Sequence, residues 1–76
     1  MALDYASLLS DEQKKSILEQ RIAQFATEAY QHDINKTVAT AAGNEEGVAQ
    51  ADAALAILEA AINVHQVELA KIAPAE

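Results

Sequence analysis

Apolar residues in the C-terminal half of the chain recur at alternating spacings of three and four. The series runs Val48, Ala51, Leu55, Leu58, Ile62, His65, Leu69 and Ile72, with His65 as its polar member. This spacing is typical of a helix that packs along its whole length against another helix. It predicts a helix over 45–73, which Pro74 ends.

The N-terminal half predicts a first helix over 10–42. Ser10 and Gln13 have the spacing of a capping box, in which each residue's side chain accepts a hydrogen bond from the other's backbone N–H. One apolar stripe of this helix is Leu18, Ile22, Phe25 and Ala29. Gly43 suits the left-handed position after a helix and Asn44 suits the next N-cap, so 43–44 is predicted to be a tight turn.

Two helices of about 30 residues joined by so short a turn must lie antiparallel. The predicted fold is therefore all-α, a coiled-coil-like antiparallel two-helix hairpin within one domain, 1–76. Residues 1–9 form an apolar arm, either a short helix or an extended segment. Residues 74–76 are a short tail.

Each helix also carries a second apolar stripe that a lone hairpin cannot cover. On the second helix it is Ala54, Ile57, Ala61 and Val64, and on the first helix Ala26, Tyr30, Ile34 and Val38. We therefore expect the hairpin to oligomerise into a helical bundle, or to dock on a larger protein assembly. The alternative is that the N-terminal arm folds back over the stripe within one chain.

The residues expected at such an interface come from the arm and from both second stripes. They are Leu3, Tyr5, Leu8, Leu9, Tyr30, Ile34, Val38, Ala54, Ile57, Ala61 and Val64.

The length and cysteine content of the chain bear on how its fold is stabilised. A chain of 76 residues without cysteine has neither disulfides nor thiolate metal sites to support its small core, which favours oligomerisation.

The net charge of -7, with only five lysines and arginines, opposes nucleic-acid binding. The chain begins without a basic signal region, and no continuous apolar run approaches membrane-spanning length. We expect an unexported protein that has no membrane partner.

The sequence offers little for catalysis. No nucleophile lies in a recognisable turn, and Gly43 and Gly47 do not make a phosphate loop, so we expect neither an enzyme nor a cofactor. The pairs Glu28–His32 and His65–Glu68 have spacings that could each give a metal two ligands. The plainer interpretation of His65 is a core histidine whose ring nitrogens find partners. We predict no metal site.

A small-molecule pocket at a subunit junction is a further candidate. Tyr5, Lys14 and Arg21 could line it by stacking and charge. The plainer interpretation is that the tyrosine packs against apolar surface and that the two basic residues are solvated.

The stretches LSDEQKKSILEQRIAQFATEAYQH and AILEAAINVHQVELAKI resemble small alanine-rich helical proteins of tailed bacteriophages. The resemblance implies a minor virion component, such as a capsid or tail accessory protein, or a factor acting in the host cytoplasm. One group of phage helical-hairpin proteins forms oligomers that sequester cyclic nucleotides, and this chain is similar in having a leader before a hairpin. The shortage of arginine near the C-terminal helix departs from that group. The expected function is thus a non-enzymatic interaction protein, with the ligand-sequestering oligomer as the alternative.

Overall fold

A computed structural model describes residues 4–72 and contains two long helices, α1 (Asp11–Ala41) and α2 (Glu45–Ile72). The helices pack against each other as an antiparallel hairpin, and no strand occurs within 4–72. Before α1, a single turn of 3-10 helix spans Tyr5–Leu8, followed by extended backbone at Leu9. We call residues 4–9 the arm. The expectations placed on Leu3 and on residues 73–76 lie outside the described residues.

The start of α1 has the predicted capping box. The Ser10 Oγ accepts the backbone N–H of Gln13 at 3.1 Å, and the Gln13 side chain accepts the backbone N–H of Ser10 at 2.8 Å. Asp11 and Glu12 place negative charge on the first turn, where the helix dipole favours it. The capping box therefore fixes the start of α1 at Ser10, and the arm does not continue this helix.

The turn between the helices is a Schellman motif. Gly43 has φ of +71°, a left-handed conformation that glycine adopts without strain. The Asn44 N–H reaches the Ala39 carbonyl at 2.8 Å, and the Gly43 N–H reaches the Thr40 carbonyl at 3.1 Å. Asn44 then caps α2, since its Oδ1 accepts the Gly47 N–H at 3.0 Å. The turn thus directs α2 back along α1.

The predicted seam of α2 faces α1. Every residue of its three-four series is half-buried or buried, and so are Leu18, Ile22, Phe25 and Ala29 of α1. Of the described apolar residues only Ala39, Ala51 and Leu58 are buried, and no large side chain is fully enclosed. Small proteins that fold alone usually enclose more than this. A single hairpin therefore has a thin core.

One ion pair joins the two helices beside the seam. The Lys36 Nζ lies 2.8 Å from Asp52 Oδ1, with both side chains substantially exposed. The hydrogen bond to Asp52 and its negative charge raise the pKa of Lys36. Because the pair is exposed, it contributes little energy but helps to set the register of the helices.

Candidate functional site

The main exposed apolar surface follows one side of the hairpin. Its large residues are Ile57 and Val64 on α2, 70% and 57% exposed, and Val38 on α1, 62% exposed. Between them lie the half-buried small residues Ala54 and Ala61. Ile17, also exposed, stands three heptads before Val38 and so on the same side of α1. We call these six residues the Ile57 face.

A cavity of about 410 Å³ lies at the turn end of the Ile57 face. Val38 lines it from α1, and Gln50, one heptad before Ile57, lines it from α2. This shared cavity is what shows that the apolar stripes of the two helices lie on one side. No carboxylate, lysine or arginine is among its other lining residues, which are His32, Asn35, Ala39, Ala42, Asn44, Gly47 and Ala51.

A groove of about 300 Å³ lies at the opposite, open end of the same side. The arm forms one wall of it with Tyr5, Ala6 and Leu9, and the helices provide the rest: Lys14, Ile17, Leu18, Glu68 and Ile72. Tyr5 itself stays 72% exposed. The arm therefore packs near the ends of the helices and leaves an aromatic side chain facing outward.

The arm does not cover the apolar stripe of α2. Its described residues line a groove with Glu68 and Ile72 at the end of α2, whereas Ile57 and Val64 remain 70% and 57% exposed. The alternative in which the arm seals this stripe within one chain is therefore wrong for residues 4–9. The stripe is left open to solvent or to another protein.

The candidate interface residues divide into three groups. Val38, Ala54, Ile57, Ala61 and Val64 belong to the Ile57 face. Tyr5, Leu8 and Leu9 lie on the arm, with Leu8 strongly exposed. Tyr30 and Ile34 are exposed but point to other sides of α1, because a spacing of four moves steadily around a helix. Sequence reasoning missed Ile17, which the heptad spacing to Val38 could have identified.

A polar cluster of Arg21, Phe25 and His65 lies at the edge of the Ile57 face. The Arg21 Nε donates to His65 Nε2 at 2.9 Å, and His65 Nδ1 lies 2.7 Å from the Ala61 carbonyl. The Phe25 ring meets the imidazole edge to face at 5.0 Å, and the Arg21 guanidinium lies 5.2 Å from the centre of the Phe25 ring. Because Nε2 accepts, Nδ1 must carry the proton.

Both ring nitrogens of His65 therefore have partners, of which the Ala61 carbonyl is partly buried and the Arg21 side chain is exposed. A metal at His65 would have to displace either Arg21 or the Ala61 carbonyl. Within 4–72, no three histidine or acidic side chains gather in a way that could hold a metal ion.

The three residues suggested for a ligand pocket do not come together. Tyr5 and Lys14 line the open-end groove, but Arg21 is held at His65. The groove also contains the Glu68 carboxylate, which forms an ion pair with Lys71 at 3.0 Å. One lysine beside a carboxylate is a weak setting for a phosphate group.

By length and composition alone, α2 is long and apolar enough to cross a membrane, and only 11% of its most apolar stretch is buried. This property is an average over the stretch, since no continuous apolar run in α2 reaches membrane-spanning length. The charged residues Asp52, Glu59 and Glu68 divide the apolar sequence of α2. A charged residue at the centre of a spanning helix costs about 2.5–3.5 kcal/mol.

Comparison with protein-family models, with curated proteins and with solved structures finds nothing that matches this chain.

Proposed function

We propose that this chain is a non-enzymatic interaction protein that self-associates through the Ile57 face, forming a four-helix bundle from two hairpins. The observation that carries the proposal is the exposure of Ile57 and Val64 in the middle of a helix whose other side already packs on α1. A second copy supplies an apolar face of the same length. Burial of apolar surface is the driving force, at about 25 cal/mol per Å².

The thin core supports the same proposal. Only three described apolar residues are buried, so a second hairpin would add much of the burial that the single chain lacks. Folding and association are then coupled, and stability depends on protein concentration. The melting temperature of the wild-type chain should therefore rise over a hundredfold increase in concentration.

Replacement of Ile57 and Val64 by aspartate tests the interface. Two buried charges per copy should weaken association by at least about a hundredfold. The matched control is Ala56→Asp with Asn63→Asp, which adds two charges one residue earlier, on the exposed side away from the Ile57 face. Sedimentation should give dimers for the control and monomers for the Ile57/Val64 variant. Equal sedimentation of both variants would contradict the proposal.

The phage resemblance extends this proposal to a role as a minor virion component, in which the bundle would be held by a larger assembly. Mass spectrometry of purified virions from a phage encoding the chain tests that extension. Its presence only in the infected-cell lysate would instead favour a factor acting in the host.

A further inference from the structure

Two residue pairs with the same spacing lie on the Ile57 face and along its edge. Ile57 and Val64 are one heptad apart on α2, and Arg21 and Glu28 are one heptad apart on α1. Arg21 is level with His65, and Ala39 lies beside Gly47. By this register, the midpoint of Arg21 and Glu28 is level with Ala61 or Ile62. The midpoint of Ile57 and Val64 lies about one residue away, roughly 1.5 Å along the axis.

Arg21 and Glu28 are on the same side of α1 as both cavities. Lys14 and Asn35 occupy the same heptad position as this pair, and they line the open-end groove and the turn-end cavity respectively. Neither Arg21 nor Glu28 takes part in an ion pair within the described residues. Arg21 uses its Nε for His65, which leaves its terminal nitrogens able to donate elsewhere.

A two-fold axis through the shared midpoint makes the face complementary to itself. When the second copy runs in the opposite direction, Ile57 meets Val64 of the partner subunit. Arg21 then meets the partner subunit's Glu28, and both contacts occur twice because the interface is symmetric. Within these two pairs, apolar side chains thus face apolar side chains, and opposite charges face each other.

The other face-to-face arrangement, with both turns at one end, lacks this match. Each residue of α1 would then lie against the α2 residue at its own level in the partner. Arg21 would lie against the partner subunit's Val64, and Glu28 against the partner subunit's Ile57. Placing charges on apolar side chains without a partner is unfavourable. The antiparallel arrangement therefore fits the side chains better.

The antiparallel arrangement also brings the two ends of the face together. Lys14 and Asn35 are equidistant from the same midpoint, so the arm beside Lys14 faces the cavity beside Asn35. At about 410 Å³ this cavity exceeds the roughly 150 Å³ that encloses a benzene ring in an engineered protein. The amides of Asn35 and Gln50 offer hydrogen bonds to a tyrosine hydroxyl.

We infer that two copies associate with their turns at opposite ends, that Tyr5 of each copy enters the turn-end cavity of the other, and that Arg21 pairs with Glu28 across the interface. This inference rests on the proposed self-association. It adds the relative direction of the two hairpins. It also adds an intersubunit site, which is incomplete without the second copy.

Single cysteines in this cysteine-free chain test the direction. In the antiparallel dimer, Ala61 lies near the axis and meets the partner subunit's Ala61, and Gln24 likewise meets the partner subunit's Gln24. Ala61→Cys and Gln24→Cys should therefore each form a homodimeric disulfide at least about tenfold faster than Ala56→Cys, an exposed control on the other side.

Mixing the two cysteine variants separates the possible outcomes. If the turns lie at one end, the mixed disulfide between Gln24→Cys and Ala61→Cys dominates, and the direction proposed here is overturned while self-association survives. If no variant reacts faster than the Ala56→Cys control and the wild type sediments as a monomer, the proposed function fails as well.

Charge reversal tests the ionic contact. Glu28→Arg places two like-charged contacts in the dimer and should weaken association by about tenfold, and adding Arg21→Glu should restore most of it. The two residues are about 10 Å apart along one helix, too far for direct contact within a chain. Weakening without rescue by the double variant would overturn the Arg21–Glu28 pairing.

Tyr5→Ala tests the arm. Loss of an aromatic anchor from a cavity should weaken association by at least about tenfold, whereas Tyr30→Ala, an equally large truncation on another side of α1, should leave it unchanged. Equal effects of the two variants would exclude Tyr5 from the cavity. Helix content measured by circular dichroism shows whether each variant remains folded.

Discussion

Arg21 and His65, 44 positions apart in the chain, are joined by a single hydrogen bond from the Arg21 Nε to the His65 Nε2 at 2.9 Å. The bond links the two helices in the half of the hairpin away from the turn and orients the imidazole, whose other nitrogen lies 2.7 Å from the Ala61 carbonyl. It also marks the register of the two helices, from which the interface geometry follows.

This bond predicts the tautomer of His65. Because Nε2 accepts from Arg21, the proton should reside on Nδ1, whereas free imidazole is not held in this form. Nitrogen chemical shifts of the neutral imidazole should show the His65 proton on Nδ1 in the wild type. Arg21→Ala should remove the preference. A His65 ring protonated at Nε2 in the wild type would contradict the contact.

Gly47 provides a second prediction, since its position in α2 lacks room for a side chain. A Cβ there would lie 2.8 Å from Asn44 Nδ2 and 3.1 Å from Ala39 Cβ. Gly47→Ala should therefore lower the free energy of unfolding by about 1 kcal/mol, although alanine is the better helix former. As a control, Ala60→Gly on an exposed part of α2 should cost a similar amount through propensity alone. A higher melting temperature for Gly47→Ala would contradict this account.

The Lys36–Asp52 ion pair predicts a dependence on alkaline pH. The pKa of Lys36 is raised above its ordinary value of 10.5, so its stabilising effect is present in full below that value. The effect is lost as pH rises through the higher pKa of the folded state. The difference in unfolding free energy between the wild type and Asp52→Asn should therefore be constant from pH 7 to 10 and shrink above about pH 10.5. A difference that persists unchanged at pH 12 would exclude the ion pair as its source.

The composition of α2 raises the question of membrane binding, and we predict none. The interruptions at Asp52, Glu59 and Glu68 and the net charge of -7 oppose insertion, above all into anionic bilayers. The chain should remain in the supernatant when neutral or anionic vesicles are sedimented. Co-sedimentation with neutral vesicles, abolished by Ile57→Asp with Val64→Asp, would instead show that lipid covers the Ile57 face.

The helices, the turn and the seam could be predicted from sequence because each depends on local chemistry. Ser10 and Gln13, Gly43 and Asn44 act within a few residues of themselves, and the three-four spacing needs only a neighbouring helix to face. The Arg21–His65 bond could not be foreseen, because it depends on the register between two helices to within one residue. The spacing of apolar residues predicts which side of a helix packs against its neighbour. It does not predict how far one helix is shifted along its axis relative to the other.

The second apolar stripe of α1 drifts around the helix, because Tyr30, Ile34 and Val38 are four residues apart. Only Val38 of these three therefore joins the Ile57 face. Ile17 also belongs to that face but lies outside the series with this spacing. A grouping by whole heptads would have separated these residues correctly.

The seam is unequal along its length. Near the turn it is lined by Gly47, Ala39 and Ala51, which allow the two backbones to approach closely, while farther along Phe25, Leu58 and Ile62 need more room. The hairpin is therefore expected to taper toward its turn like a wedge. Because this taper lies in the plane of the two helices, stacking two copies with their turns at opposite ends makes each helix cross its counterpart at an angle. Packed helices in bundles commonly cross at about 20°.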